Sequence, residues 1–371
     1  MLKYNKGEFY MNNMDNIISQ FIGNTKAEDV SPIGNGHINS TFLVKTPHSK
    51  YVLQKINTSV FPDVDALMSN IDKVTRHIQK KVKECGKDPS RATLNFLTAP
   101  NGKKYICYEG NYYRMYDFID GTFTIEQMDN PVNFYYSGKA FGEFANFFTD
   151  FDASLLVETI KDFHNTPKRF KDFEQAIDEN RKGRVAYVCD EIEFVKSRRD
   201  FMPLFTDKLA GNALPLRVTH NDTKLNNILF DEKTNMPVAV IDLDTVMPGS
   251  YLYDFGDAIR FGATHAAEDE KDLSLVDFDL GLYRSFAKGY IEESGNSLTD
   301  EEINMLPYAS IMLTLECGMR FLTDHLNGDT YFRISRQGHN LDRARTQFKL
   351  VSEMENNVEN MKEIIDELVG R

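Results

Sequence analysis

The most chemically informative part of the chain is a polar loop followed by a second polar strand end. Asp222 follows an apolar strand predicted at 214–218, Asn227 comes five residues later, and Asp242 ends a second apolar strand at 238–241. A carboxylate that accepts a hydroxyl proton, with amide and carboxylate oxygens for a hard cation, is what phosphoryl transfer requires. Asn and Asp are also common in turns. The two motifs together, each at a strand end, favour the catalytic interpretation.

The spacing of these residues suggests a role for each. His220, Asp222 and Asn227 follow the H-x-D-x-x-x-x-N spacing of protein-kinase catalytic loops. We therefore predict that Asp222 is the general base, that Asn227 and Asp242 bind Mg²⁺, and that His220 maintains the shape of the loop. Lys224 either steadies the transferred phosphoryl group or is simply solvated.

Asp244 and Arg320 are further candidates with open roles. Asp244 lies two residues beyond Asp242 and is predicted to bind a second cation, contact the substrate or stabilise the loop. Arg320 lies within an apolar helical segment, and a buried arginine needs a partner. That partner is either a carboxylate in a structural ion pair, which the sequence alone slightly favours, or a ligand.

A glycine-containing turn between two predicted strands is a candidate phosphate-binding loop. Glycine lets the backbone approach a phosphate, and backbone N–H groups act as donors. The candidate nucleotide-binding residues of this turn are Gly34, Gly36, Asn39, Ser40 and Thr41. His37 lies beside them and is predicted either to face the acceptor or to be structural. No Walker A sequence occurs anywhere in the chain, which excludes a P-loop NTPase.

Two further segments are candidates for nucleotide contacts. Strand alternation places Gln54 and Lys55 on opposite faces of the strand that would carry a phosphate-pairing lysine. Either Gln54 replaces that cation or a bulge brings Lys55 into its place. The segment 113–119 is predicted to contact adenine through its backbone, or else to be an aromatic-rich core strand. The candidates there are Met115, Tyr116 and Phe118.

Composition limits the class of protein. The chain has 371 residues, 41% of them hydrophobic, and a net charge of −13, which argues against nucleic-acid and anionic-membrane partners. Its four cysteines form no C-x-x-C pair, so we expect buried free thiols and no zinc site. The N-terminus lacks a signal-peptide pattern and no apolar run is long enough to span a membrane. We expect a cytoplasmic protein, and favour a monomer.

The order of predicted elements indicates an α+β, two-lobed, protein-kinase-like fold. Strands surround one amphipathic helix up to about residue 118, and the chain beyond is mainly helical. We predict a small antiparallel-sheet lobe with one helix at 1–118, a larger helical lobe at 119–371, and a hinge at Gly121. The predicted helices beyond the hinge are 131–149, 168–180, 187–206, 274–293, 300–327 and 341–368.

The chain resembles the aminoglycoside phosphotransferase and choline kinase superfamily, and more closely the bacterial N-acetylhexosamine 1-kinases. The resemblance extends from Pro32 to about Met354 and rests on five segments. These are 34–39 (GNGHIN), 54–62 (QKINTSVFP), 217–229 (RVTHNDTKLNNIL), 241–250 (IDLDTVMPGS) and 316–321 (ECGMRF).

This resemblance implies ATP- and Mg²⁺-dependent phosphorylation of the anomeric hydroxyl of GlcNAc and GalNAc, giving the α-1-phosphate. It implies that Asp222 is the base and that Asn227 and Asp242 bind magnesium. It also implies a role for Gln54 in place of the missing lysine. The positions that match the sugar pocket are His37, Asp222, Asp244, Phe261, Arg320 and Tyr331.

Two alternatives remain open from the sequence. One is a kinase of another small alcohol in the same superfamily, such as homoserine, choline or a ribose derivative. A choline pocket needs an aromatic or acidic cage, whereas Arg320 near the acceptor would repel a quaternary cation. The other is an inactive nucleotide-binding regulator, which the presence of both Asp222 and Asp242 disfavours.

Overall fold

The computed structural model describes residues 6–33, 38–125 and 130–371, with the side chains of all of these except 6–13 and 296. The chain divides into two compact units, Met1–Thr122 and Phe123–Arg371. Acidic residues outnumber basic ones only in the second unit. In the described part of the chain, no helix is both long and apolar enough to cross a membrane.

The first unit is built on a five-stranded antiparallel sheet with the order β1-β2-β3-β5-β4. Its elements are α1 (Lys6–Ile22), β1 (Asp29–Pro32), β2 (Ser40–Lys45), β3 (Lys50–Ile56), α2 (Val64–Glu84), β4 (Ile106–Tyr108) and β5 (Asn111–Asp117). α2 begins where the Asp63 side chain accepts a hydrogen bond from the Ala66 N–H. Its buried residues recur every three to four positions, as the sequence pattern predicts.

The two faces of this sheet have different neighbours. Leu53 and Met115 are fully buried in a core shared with Ile17 and Ile18 of α1. Because side chains alternate along a strand, Gln54 and its cross-strand partner Arg114 lie on the opposite face. Arg114 contacts Met68 of α2 on that face.

The second unit is mainly helical and carries two small sheets. Its strands are β7 (Arg217–Thr219), β8 (Ile228–Asp231), β9 (Pro237–Val240) and β10 (Met247–Gly249), together with β6 (Thr122–Phe123), which begins at the last residue of the first unit; they pair as β10-β7 and as β6-β8-β9. Its helices are α3 (Pro131–Phe147), α4 (Thr166–Glu179), α5 (Cys189–Lys196), α6 (Leu204–Ala210), α7 (Tyr251–Gly262), α8 (Leu280–Ser294), α9 (Asp300–Asn327), α10 (His339–Asn356) and α11 (Val358–Val369). α9 begins with a capping box formed by Thr299 and Glu302.

Helix α7 lies in close contact with α9 because a glycine faces the contact. A Cβ atom added at Gly256 would lie 2.4 Å from the Ala309 carbonyl oxygen, a distance that no real side chain tolerates. Almost every residue of α7 is buried. This packing fixes the helix that, as described below, holds the polar loop.

The predicted α+β fold, with an antiparallel-sheet part followed by a mainly helical part, is confirmed. Several helix predictions are wrong in detail. The predicted helix 187–206 is two short helices, α5 and α6, and the predicted helix 341–368 is interrupted at Asn357, which separates α10 from α11. The four cysteines are free, as predicted, but the prediction that they are buried is wrong, since Cys85, Cys107 and Cys189 are exposed and Cys317 is half-buried.

Candidate active site

The loop that carries Asp222 begins directly after β7. Asn221 adopts a left-handed backbone conformation with a φ angle of 64°, which asparagine tolerates better than most residues. The backbone N–H of Asp222 donates to His220 Nδ1 over 3.3 Å, and His220 Nε2 donates to the Ile241 carbonyl over 2.9 Å. The His220 ring also packs edge-on against Phe141 and Phe144 of α3. His220 therefore shapes the loop, and both of its ring nitrogens are already engaged in hydrogen bonds within it.

The Asp222 carboxylate is held between a cation and an amide. Lys224 Nζ lies 2.7 Å from Asp222 Oδ1, and Asn227 Nδ2 donates to Asp222 Oδ2 over 3.0 Å. Partial burial raises the pKa of Asp222, but the charge and hydrogen bond of Lys224 lower it more, so the net pKa lies below the usual value. In turn, the Asp222 charge raises the pKa of Lys224. Asp222 is thus ionised and a quarter exposed, with 26% of its side chain accessible.

Strand pairing brings Asn227 and Asp242 to the same end of one sheet. Ile228 of β8 pairs with Val240 of β9, and the Ile241 N–H donates to the Asn227 carbonyl over 2.8 Å. Asp242 is the next residue, exposed and in a left-handed conformation with a φ angle of 57°. The loop and the end of β9 are therefore adjacent.

These residues suit a hard divalent cation. Asn227 Nδ2 donates to both the carbonyl and the carboxylate of Asp222, so the other side-chain atom of Asn227, Oδ1, points away from Asp222. An amide oxygen and the Asp242 carboxylate are the oxygen ligands that Mg²⁺ prefers.

Two acidic residues of α7, which the sequence did not predict to be functional, hold the loop through hydrogen bonds to its backbone. Asp254 of α7 accepts the N–H groups of His220 and Asn221 at 2.8 and 2.7 Å. Asp257, one turn later, accepts the Thr223 N–H at 3.1 Å and pairs with Arg260. Burial raises the pKa of Asp254 to about 6. The sequence did contain a signal for this role, because two carboxylates within an apolar segment are expected to be buried and so to need hydrogen-bond donors.

The candidate acceptor residues fall into different environments. Arg320 and Tyr331 come together, since the guanidinium lies 6.0 Å from the Tyr331 ring centre and also over Phe163 and Phe332. In the described part of the chain, no carboxylate lies within salt-bridge distance of Arg320, although its charge helps to lower the pKa of Glu316, one helical turn earlier. Asp244 is buried and Phe261 is half-buried on α7.

Asp324, also missed, organises the segment that carries Tyr331. This buried carboxylate accepts the backbone N–H groups of Thr330, Tyr331 and Phe332 at 2.8 to 2.9 Å. The Tyr331 side chain itself is 63% exposed, so it remains accessible to a ligand.

In the first unit, Gln54 lies on β3 at the position where a phosphate-pairing lysine was one of the expected alternatives. Its Oε1 accepts from Arg114 Nε over 2.9 Å, and its Nε2 donates to Thr41 Oγ1 over 3.1 Å. Arg114 is 2% exposed, whereas Lys55 lies on the other face of the strand. The Gln54 amide thus links a buried cation to the start of β2.

The remaining nucleotide candidates are placed as follows. Asn39 Oδ1 accepts the Asn57 N–H, and Ser40 is exposed at the start of β2. Met115 is fully buried in the core, where its carbonyl accepts from the Leu97 N–H. Tyr116 and Phe118 are half-buried. Gly34, Gly36 and His37 lie outside the described residues.

The link between Gln54 and Arg114 gives a stability prediction. Gln54→Lys places an ammonium group beside the buried guanidinium, so we expect a loss of about 1–3 kcal/mol of folding free energy from like-charge repulsion. Thermal unfolding measures this loss. The double variant Gln54→Lys/Arg114→Gln should recover most of it, and an unchanged melting temperature in the single variant would contradict the described contact.

The sequence matches a family model described as the phosphotransferase enzyme family over residues 29–288. That range contains the polar loop, the end of β9 and helix α7. The chain belongs to this family. It is therefore a kinase-type enzyme, in agreement with the ionised carboxylate of Asp222 at the loop.

Solved structures similar to this phosphotransferase share its fold at low sequence identity. A microcompartment-associated aminopropanol kinase has a TM-score of 0.59 and 13% identity, covering 95% of this chain and 98% of that one. A spectinomycin phosphotransferase in complex with ADP and spectinomycin has a TM-score of 0.58 and 10% identity, covering 93% and 98%. An ethanolamine kinase from Plasmodium vivax has a TM-score of 0.53 and 16% identity, covering 92% and 89%. At these identities the likeness shows the fold alone.

Proposed function

We propose that this phosphotransferase uses ATP to phosphorylate the anomeric hydroxyl of N-acetylhexosamines, GlcNAc and GalNAc, to the α-1-phosphate. The observation that carries the proposal is the environment of Arg320. Its guanidinium lies among the rings of Phe163, Tyr331 and Phe332 and, within the described ranges, makes no close salt bridge. A planar donor flanked by aromatic rings suits a neutral sugar that offers hydroxyl and carbonyl oxygens.

Asp222 is the proposed base in a direct in-line transfer. The anomeric hydroxyl is more acidic than other sugar hydroxyls, so one carboxylate with a low pKa is sufficient to accept its proton. Lys224, at 2.7 Å from Asp222, keeps that carboxylate ionised and adds positive charge beside the transferred group. His37, Asp244, Phe261 and Tyr331 are the further proposed sugar contacts.

Asn227 and Asp242 are the residues proposed to hold Mg²⁺. The bound cation would neutralise charge on the phosphate oxygens. Asn227 Oδ1 is kept available for it because Nδ2 is bonded to Asp222.

ATP is proposed to bind the first lobe, residues 1–118, through the start of β2 and Gln54. Gly34, Gly36, Asn39, Ser40 and Thr41 would contact the phosphates, and Tyr116 and Phe118 the adenine. The buried charge of Arg114 supports this proposal, because it lies directly behind the Gln54 amide. Residues 119–371 would supply the catalytic and sugar-binding groups.

Phosphorus NMR of the product tests the proposed function. Incubation with ATP, Mg²⁺ and GlcNAc should give a sugar phosphate whose phosphorus couples to an α-anomeric proton. The same spectrum reports the position and the anomer of the new ester. A 6-phosphate, or no sugar phosphate from either GlcNAc or GalNAc, would overturn the proposal.

Arg320→Lys is expected to weaken sugar use selectively. The lysine keeps the charge but loses the planar donors between the rings, so the KM for sugar should rise by about tenfold or more. The KM for ATP should stay unchanged in the same steady-state assay. Arg333→Lys, at an exposed position on the neighbouring segment, is the matched control. An equal rise in both KM values would count against a sugar contact.

A further inference from the structure

A cavity of about 270 Å³ lies within the first unit, between helix α2 and the segment 94–96. The helix lines it with a stripe of residues that lie three and four positions apart, namely Met68, Ile71, Asp72, Thr75, Arg76 and Gln79. The other lining residues are Leu94, Asn95, Phe96 and Lys104. None of these residues belongs to the sites proposed above.

The floor of the cavity is apolar. It consists of the four apolar lining residues, each of which exposes 5% or less of its surface: Met68, Ile71, Leu94 and Phe96. An apolar cavity of about 150 Å³ can hold a benzene molecule. The larger volume here is therefore sufficient for one six-membered ring together with a small polar group.

The rim of the cavity carries two cations and one carboxylate. Arg76 Nε lies 2.8 Å from Asp72 Oδ2, and the Arg76 side chain is 71% exposed. Lys104 Nζ donates to the Phe96 carbonyl over 2.5 Å. Each cation has further N–H donors, since a guanidinium carries five and an ammonium three. The rim therefore offers donors to a ligand, and its charged groups sum to +1.

The surroundings of the cavity are also positive. Helix α2 contains five lysine and arginine residues and only three acidic ones, although the chain as a whole has a net charge of −13. An apolar floor beneath a cationic rim suits an organic anion, whose charge accepts hydrogen bonds at the rim while its body leaves water. A rim charge of +1 matches the single charge of a carboxylate better than the double charge of a phosphate ester.

We propose that this cavity binds a small carboxylic acid whose apolar body is about one ring in size. The carboxylate accepts hydrogen bonds from Arg76 and Lys104, and the body packs on the floor. The site goes beyond the proposed sugar kinase activity, because a carboxylic acid is neither a substrate nor a product of that reaction.

Matched probes test the proposal on the full-length protein. Benzoate and benzyl alcohol have the same ring, and only benzoate carries a charge at neutral pH. In protein labelled with ¹³C at the methionine methyl groups, benzoate should shift the Met68 resonance in a saturable manner through its ring current. Benzyl alcohol should bind about fivefold or more weakly. Sodium chloride at equal ionic strength controls for screening, and the Met68→Leu variant assigns the resonance.

Three variants of one helix test the sign of the charge effect. Arg76→Gln removes a rim cation, so benzoate should bind about fivefold or more weakly. Asp72→Asn removes the rim carboxylate, so benzoate should bind about twofold or more tightly, with benzyl alcohol unaffected. Lys80→Gln is the control, because Lys80 is similarly exposed, at 67%, one turn further along α2 and does not line the cavity. It should bind benzoate like the wild type.

Each outcome decides the proposal. A saturable benzoate shift that weakens in Arg76→Gln and strengthens in Asp72→Asn supports it. Equal affinity for both probes, the absence of a saturable shift, or a benzoate affinity in either variant equal to that of Lys80→Gln would overturn the site. The phosphorus NMR assay on GlcNAc contains no benzoate, so failure of the sugar kinase proposal appears there independently.

Discussion

Asp222→Asn is expected to lower kcat by about three orders of magnitude, the range typical of a lost general base. The asparagine is nearly the same shape but cannot accept the acceptor's proton. It also ends the ion pair with Lys224, which is 2.7 Å from the carboxylate in the wild type. Because Asp222 is not among the proposed ligands of the nucleotide or the metal, binding of Mg²⁺-ATP should be nearly unchanged. Stopped-flow or steady-state ADP release gives kcat, and calorimetry gives the affinity.

Glu232→Gln is the control for this experiment, since it removes one carboxylate at an exposed site on the β8–β9 connection. It should retain wild-type kcat. If the Asp222→Asn variant also turned over at the wild-type rate, Asp222 would not be the base. Loss of nucleotide affinity in parallel with kcat would point instead to a collapsed loop.

Asp254→Asn is expected to damage both stability and turnover, although Asp254 touches no proposed ligand. One Asp254 oxygen accepts the His220 N–H and the other accepts the Asn221 N–H. In the asparagine variant an NH₂ group faces one of these donors, so one buried bond is lost and a donor is left unpaired. We expect a loss of about 2–4 kcal/mol of folding free energy. Turnover should fall by about tenfold or more, because the loop that carries Asp222 loses its anchor.

Urea unfolding and kcat measured well below the melting temperature separate the two effects. Asp279→Asn is the matched control, because Asp279 caps α8 through its side chain and asparagine caps helices equally well. This control should change the folding free energy by only a few tenths of a kcal/mol. A wild-type kcat in folded Asp254→Asn would show that the carboxylate does not position the loop.

The architecture of the first unit was predictable because its patterns are strongly periodic. The apolar residues of α2 recur at spacings of three and four, and seven of them are buried as that spacing requires. The strands between 28 and 56 pair in antiparallel register, and a short turn joins β2 to β3. Local signals were sufficient for the amphipathic helix, since it has one buried and one exposed face.

The sequence did not predict helix α7, because its residues show no clear periodic pattern. Nearly all of its residues are buried, so it has no polar face to mark a period. For the same reason the sequence did not predict the role of Asp254 and Asp257, the two α7 carboxylates that hold the catalytic loop. Their role depends on α7 packing beneath β7, which is a tertiary arrangement that spacing along the chain does not reveal.

The interrupted helices have a similar explanation. The segment 187–206 contains enough apolar residues for one helix, but the chain forms short turns around Arg198 and Pro203 before α6 begins. Between α10 and α11, Asn357 ends the first helix, and its side chain donates to the Glu353 carbonyl. Such side-chain competition with the backbone ends helices without disturbing the apolar pattern.

The arrangement of Asp222, Asn227 and Asp242 was predicted in outline from two motifs. The sequence placed each at a strand end, and the β8–β9 register accounts for their meeting. The contacts that set the state of Asp222, above all the bond from Asn227 and the ion pair with Lys224, depend on the left-handed turn at Asn221. The spacing of residues along the sequence does not reveal a left-handed backbone conformation at a single residue.

The most direct test of the proposed mechanism is a crystal structure of the protein with Mg²⁺, a non-hydrolysable ATP analogue and GlcNAc. We predict Mg²⁺ at about 2.1 Å from Asn227 Oδ1 and an Asp242 oxygen, with the anomeric hydroxyl within about 3 Å of the Asp222 carboxylate. Magnesium bound elsewhere, or a sugar whose anomeric oxygen lies away from Asp222, would contradict the account.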